Sequence, residues 1–292
     1  MEKFKFETEQ EWLAFRKQKL GASDAPTIMG TAHWKLQDGR IKTPYLLWQE
    51  KLGLLDTSID NVAVRYGKNM EDAAREAYQV VAGDLFEPTV VLNPKYPYLM
   101  ASLDGLNVTD DHAVEIKNAN AEDHELAKSG KVPDKYFPQV QMQIMVTELP
   151  SIDYWSFHKG EGVLVVVKKD EEYQKLLDEK LYHFWECVTN LKEPELTDDD
   201  FIERSGEWFT IAKSLWKIKQ EKKALEVEEK ALEQMLKDYS EGQNSRAGGF
   251  RYTVSNMIGR VNYKAIPELE NVDLDKYRGK SIQSWRLKKE KD

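Results

Sequence analysis

Apolar residues recur at helical spacing along the first quarter of the chain. Trp12, Phe15 and Leu20 follow Thr8-Glu9-Gln10-Glu11, which has capping-box form, so a helix is expected over residues 8–19 with Gly21 ending it. Ser23 and Asp24 can then cap a short helix through Pro26 to Met29, after which Gly30 and Gly39 bracket an irregular loop. Thr43-Pro44 opens a further helix, with proline at its first position, through Leu52, and Ala63 to Val81 is helical by pattern. The period then changes from helix to strand. Thr89–Leu92, Tyr98–Ser102 and Ala113–Lys117 are short β-rich runs between turn residues, and a helix over Phe137–Glu148 precedes strands at Ile152–His158 and Val163–Lys168. A helix over Glu171–Asn190 closes an α/β or α+β domain with a mixed central sheet.

Beyond Ser205 the pattern is different. Ile211 to Tyr239 reads as one long charged helix carrying Leu215, Ile218, Leu225, Ala231, Leu232, Met235 and Leu236, a face suited to packing or to a partner. Gly248-Gly249 should break it. Phe250–Val254 and Met257–Tyr263 resemble the two strands of a hairpin, and Ser281–Leu287 a further strand. No tandem repeat is present.

Composition narrows the chemistry. With 292 residues the chain can bury a substantial core, and Cys187, its single cysteine, excludes an internal disulfide, a cysteine-based zinc site and a four-cysteine iron–sulfur cluster. A reducing, cytoplasmic setting is expected. No apolar run suits a signal peptide or a membrane span, so no membrane partner is expected. The net charge of -9 argues against coating DNA by bulk electrostatics, yet it is compatible with acidic metal ligands and a basic channel.

One constellation carries chemistry. Asp104 lies in Ser102-Leu103-Asp104-Gly105, read as the point where a strand turns, and Glu115-Ile116-Lys117 follows on a strand. Strand alternation puts Glu115 and Lys117 on one face and Ile116 on the other. If the turn brings Asp104 to the same end, two acids can bind Mg²⁺ or Mn²⁺ while the lysine faces a water or a phosphate. The alternative is a same-face pair on a solvated sheet edge.

The surrounding blocks resemble the phage lambda exonuclease or YqaJ-like branch of the PD-(D/E)XK nucleases. They are Leu20-Gly21-Ala22-Ser23-Asp24, Gly67-Lys68-Asn69-Met70-Glu71 followed by Ala74 and Tyr78, Ser102-Leu103-Asp104-Gly105, Glu115-Ile116-Lys117, and Tyr136-Phe137-Pro138-Gln139-Val140-Gln141. Leu103 stands where family members commonly have proline. The resemblance covers about residues 10–190 and implies a restriction-endonuclease-like core over 1–200, with 205–292 as an extension for oligomerisation, DNA or partner contact. It implies that Asp104 and Glu115 ligate metal, with the Ile116 carbonyl as a further ligand, two ions per site, and Lys117 in catalysis. Glu71 would be a helix-borne acid beside the metal, and Gln139 would contact the site, with Gln143 one turn on sharing its face.

The activity so implied is a Mg²⁺-dependent exonuclease resecting linear duplex DNA from 5′ ends for phage-type recombination. A homo-oligomeric ring and a single-strand annealing protein would be its partners, in a bacterial cytoplasm. Ser23, Arg16 and Ser102 could together hold a terminal phosphate, although Ser23 as a helix cap and Arg16 as a surface charge is the simpler account. An endonuclease on the same core and a non-enzymatic scaffold remain open alternatives. A nucleotide-driven motor is disfavoured, because Leu274 occupies the glycine position that a phosphate loop ending in Gly279-Lys280-Ser281 requires.

Overall fold

The computed structural model describes residues 1–36, 38–55, 62–254, 266–269 and 272. The chain divides into two compact units, Met1–Ile202 and Glu203–Asp292. In the first, the elements run β1 (Glu2–Phe4), α1 (Glu9–Lys17), β2 (Leu20–Gly21), α2 (Ala25–Met29), α3 (Pro44–Lys51), α4 (Val62–Ala82), β3 (Phe86–Leu92), β4 (Leu99–Asn107), β5 (Ala113–Asn118), α5 (Ala121–Lys128), α6 (Phe137–Thr147), β6 (Ser151–His158), β7 (Glu161–Lys168) and α7 (Glu171–Thr189).

Local signals set most boundaries. The Thr8 hydroxyl accepts the Glu11 N–H at 3.2 Å and the Glu11 carboxylate accepts the Thr8 N–H at 3.4 Å, completing the capping box of α1. Thr43 caps α3 by accepting the Leu46 N–H at 3.2 Å. Gly21 does not end α1. That helix stops at Lys17, and the Leu20 N–H donates to the Tyr98 carbonyl at 2.8 Å, so sheet pairing takes Leu20 and Gly21 into β2.

The strands form one mixed seven-stranded sheet in the order β1-β3-β4-β5-β6-β7, with β2 paired to β4. β5 with β6 and β2 with β4 are parallel; the remaining pairs are antiparallel. Helices cover both faces. On one side, Leu103, Leu106 and Ala113 pack with Val140 and Ile144 of α6 and Leu177 and Leu181 of α7. On the other, Val114, Ile116, Trp155 and Phe157 pack with Ala74 and Tyr78 of α4. This two-sided burial is what a mixed α/β sheet requires.

The second unit holds α8 (Glu207–Ser240) and a hairpin of β8 (Ser245–Ala247) and β9 (Phe250–Tyr252). Gly248 and Gly249, with φ of 53° and 87°, are the hairpin's two-residue turn, so Phe250 pairs backward with Ala247. The hairpin expected between Phe250–Val254 and Met257–Tyr263 is therefore corrected on its first arm. Met257–Tyr263, Gly279-Lys280-Ser281 and Ser281–Leu287 lie outside the described residues.

One glycine is required by packing. A Cβ on Gly105 would stand 2.8 Å from both the Phe86 Cβ and the Val114 Cγ1, and the former is fixed to the backbone. Gly105→Ala should destabilise the first unit by about 1–3 kcal/mol, read as a lower denaturant midpoint. An unchanged midpoint would show that β3 and β5 can separate to admit a methyl group.

Candidate active site

The site sits at an interruption in the sheet. Thr89 pairs with Leu103 and Glu87 with Leu106, so β4 spends three residues where β3 spends two. The extra residue is a β-bulge at Asp104-Gly105, and bulges of this kind re-aim side chains. Pairing between β4 and β5 covers only Gly105–Val114 and Leu106–Ala113. Asp104 therefore lies inside a strand, not at its turn, and the two strands part there.

The Asp104 carboxylate fills the gap by accepting the Ile116 N–H at 2.8 Å. In an extended strand the N–H and C=O of one residue project to the same side, so the Ile116 carbonyl opens onto the same gap. The Ile116 side chain is buried against α4. Glu115, one residue earlier, projects to the α6 side and is only 1% exposed. Its carboxylate accepts hydrogen bonds from the Lys117 ammonium, from Gln139 at 2.5 Å and from Gln143. Both glutamines are buried residues of α6, and β5 is an interior strand; a solvated sheet-edge pair is thereby excluded.

Glu71, at the edge of the gap on α4, binds Arg75, a residue that sequence inspection overlooked. Arg75 donates to the Asp104 carbonyl at 2.8 Å, to Glu71 at 3.0 Å and to Asp72 at 2.9 Å. The signal was present as the four-residue Glu71–Arg75 spacing on one helix face, but nothing in the sequence shows that Arg75 also reaches the backbone of the first acid. Tyr136 stands in one of the motif blocks but is given no role there. Its ring lies 5.2 Å from the Lys117 ammonium and 5.2 Å from that of Lys135, a cation–π placement.

The charges are strongly coupled. Burial, with the negative charge of Glu115 beside it, raises the Asp104 carboxyl well above the usual range against the pull of Lys117 and the Ile116 N–H. Burial opposes the Lys117 ammonium, but Glu115 and Asp104 outweigh it and hold the lysine charged. Among the described residues no group of three or more His, Cys, Asp or Glu is arranged to hold a metal; the gap itself brings together two carboxylates, a carbonyl and a lysine. The Gln143 Oε1 beside it is buried without a hydrogen-bond partner.

Arg16 and Ser23 form a separate pair, the guanidinium donating to the Ser23 hydroxyl at 3.0 Å. Ser23 does not cap α2. It lies in a 3₁₀ turn over Ala22–Asp24, and Asp24 occupies the cap position. Asp24 is buried and accepts the Gly21 N–H at 3.0 Å, pairs with Lys51 at 2.6 Å and lies 3.8 Å from Arg16. Ser102 is exposed on β4, and among the described residues no hydrogen bond joins its hydroxyl to Arg16 or Ser23. Its carbonyl instead accepts from Gln143 at 3.4 Å.

The fold is a mixed α/β sheet sandwiched by helices and interrupted at an acid–acid–lysine cluster. Residues 11–150 match the family described as the YqaJ-like viral recombinase domain. It is similar to the uncharacterized protein YqaJ of Bacillus subtilis (strain 168), 28% identical over 134 residues that make up 45% of this chain and 40% of that protein. The match thus spans less than half of its curated relative. In fold, it is similar to an alkaline exonuclease (LHK-Exo) from Laribacter hongkongensis, with TM-score 0.51, 24% identity and coverage of 63% of this chain and 94% of that one. The same enzyme in complex with dAMP gives TM-score 0.52 at 23% identity.

The buried Asp24 gives a pH test. Burial acts to raise its carboxyl, but the charges of Lys51, Arg16 and Lys42 prevail and lower it to about 2. A carboxyl depressed on folding stabilises the native state above its unfolded value of 3.8 and loses that contribution as pH falls through about 2. Its share is on the order of 2 kcal/mol. Asp24→Asn should lower stability at neutral pH by about 3–5 kcal/mol, because Lys51 is left buried and unpaired. The variant should also lose this component of the acid transition. Denaturation series from pH 7 to low pH on both proteins measure it, and parallel curves would contradict the assignment.

Proposed function

We propose that this protein is a divalent-metal-dependent DNA exonuclease that resects linear duplex from 5′ ends and leaves 3′ single-stranded tails for recombination. The observation that carries this reading is the meeting of Asp104, Glu115, Lys117 and the Ile116 carbonyl at one break in the sheet. The donors are all oxygen, two acids share a buried site with one lysine, and Gln143 Oε1 lacks a partner. This set fits a hard cation such as Mg²⁺, with Mn²⁺ as a substitute. Asp104, Glu115 and the Ile116 carbonyl would hold it.

When bound, the ion would lower the pKa of a water and neutralise charge growing on a phosphate. The protein's residues do the remaining work. Gln139 and Gln143 fix the Glu115 carboxylate from α6, so its orientation does not depend on substrate. Lys117, kept cationic by both acids, supplies a charge-assisted donor for the scissile phosphate or the attacking water. Glu71, restrained by Arg75, adds negative charge from α4. Both Glu115 oxygens already accept hydrogen bonds, so ligation would release one donor, and Lys117 is the one free to turn towards a phosphate.

The Arg16–Ser23 pair provides an anion site for a terminal 5′-phosphate, with Asp24 and Lys51 holding the arginine and the turn beneath it. The DNA-end substrate, the annealing-protein partner and the ring assembly belong to this reading and rest on family likeness. So does the division of labour between residues 1–200 and 205–292.

Asp104→Asn, Glu115→Gln and Lys117→Ala should each lower degradation of end-labelled linear duplex in Mg²⁺ by at least about a hundredfold. A folded variant with near-wild-type turnover would remove that residue from the chemistry. Closed circular duplex should survive; its cleavage at a comparable rate would favour an endonuclease. Arg16→Ala should cost roughly tenfold to a hundredfold on 5′-phosphorylated ends and little on 5′-hydroxyl ends. An equal loss on both ends would return Arg16 to a structural role.

A further inference from the structure

α8 spans 34 residues, and most of its large apolar side chains fall on a seven-residue repeat, with Phe209, Trp216, Val227 and Met235 outside it. Trp208, Leu215, Lys222, Glu229 and Leu236 occupy one core position of the heptad, and Ile211, Ile218, Leu225, Leu232 and Tyr239 the other. Eight of these ten side chains are large and apolar, and all eight are exposed, from Leu215 at 44% to Tyr239 at 85%. A seam of that length, left uncovered among the described residues, is the mark of an interface.

The two polar core positions say what covers it. We propose that α8 pairs with α8 of a second copy of this chain, the two helices running antiparallel. In a parallel pair, like positions meet across the seam, setting Lys222 against Lys222 and Glu229 against Glu229. The flanks would add Glu221 opposite Glu226 and Glu228 opposite Glu233, and only Lys222 beside the other copy's Glu221 would offset these like-charge contacts.

Reversing one helix changes the signs. With Lys222 in the layer of the second copy's Leu225, the two ends close with Trp208 on Tyr239, Ile211 on Leu236 and Leu215 on Leu232. Lys222 then lies within about one helical turn of Glu229 of the other copy, and the symmetry makes this contact twice. Lys219 faces Glu226 on one flank. On the other flank Glu221 meets Glu228, and Lys222 stands on that side of the seam to offset them. Within a single helix Lys222 reaches only Glu226, at 3.7 Å with both side chains largely in water, a weak contact to give up.

Light scattering or sedimentation of the full chain at micromolar concentration tests the pairing independently of any nuclease assay. The wild type should contain at least two chains per particle. Leu225→Asp combined with Leu232→Asp should lower the mass at least twofold and weaken association by roughly a hundredfold or more. Orientation is read by disulfide trapping, in which the native Cys187, being buried, should not compete. A mixture of Ile211→Cys and Leu236→Cys chains should cross-link, whereas Leu236→Cys alone should not. A monomeric wild type, a mass unaffected by the aspartates, or ready cross-linking of Leu236→Cys alone would each overturn the proposal. The first outcome would mean that the seam is covered by another segment of the chain or by a different protein.

Discussion

The organisation of the first unit turns on a single hydrogen bond, from the Ile116 N–H to the Asp104 carboxylate. An unpaired backbone N–H in the middle of a sheet costs on the order of 1–3 kcal/mol, so a break between central strands is stable only when a side chain takes the place of the missing strand. Asp104 does this because the bulge leaves it out of the ladder. The same substitution turns the Ile116 carbonyl, the Glu115 carboxylate and the Asp104 carboxylate towards a common space. Sheet integrity and the clustering of acids therefore have one cause.

The second constraint is electrostatic. Glu115 is buried deeply enough that only three donors, Lys117, Gln139 and Gln143, keep its charge tolerable. Two of them come from α6, which packs on β4 and β6 and reaches β5 through these glutamine side chains. Arg75 plays the corresponding part on the opposite face, where it ties α4 to the Asp104 backbone. The gap is thus pinned from both sides of the sheet, although the two helices belong to separate hydrophobic clusters.

Much of the fold was legible in the sequence because it was encoded locally. The capping box at Thr8–Glu11, the Thr43-Pro44 start and the switch in apolar period after Val81 each act over a few residues. The resemblance to the YqaJ-like family was legible too, since five ordered motifs lie within residues 20–141. What escaped detection was non-local. The bulge depends on the register between β3 and β4, so Asp104 looked like a turn residue next to glycine. Helix α5 was missed because its eight residues are mostly polar, with Leu126 the only large apolar one, and carry no clear apolar stripe; its start is set by Asn120 accepting the Asp123 N–H at 2.8 Å. Gly248-Gly249 does not break the long helix, which ends at Ser240 with Glu241 as its left-handed cap; the two glycines with positive φ close a hairpin instead. That Arg16 meets Ser23 while Ser102 does not is a matter of tertiary distance that no spacing rule carries.

The turn between β4 and β5 has its own anchor. The Asn107 side chain donates to Asp84, Thr109 and Asp111 and accepts the N–H groups of Asp111 and His112. This knot, and not the length of the loop, fixes which residue of β5 stands opposite Gly105. The interval between the two acids is therefore gauged at Asn107, while at the tip Val108 is exposed and Asp110 pairs with Lys3 of β1 at 2.8 Å. A tag or fluorophore inserted at Val108 would travel with the hairpin and leave the spacing of the acids as it is, which makes that position a natural handle for following the molecule.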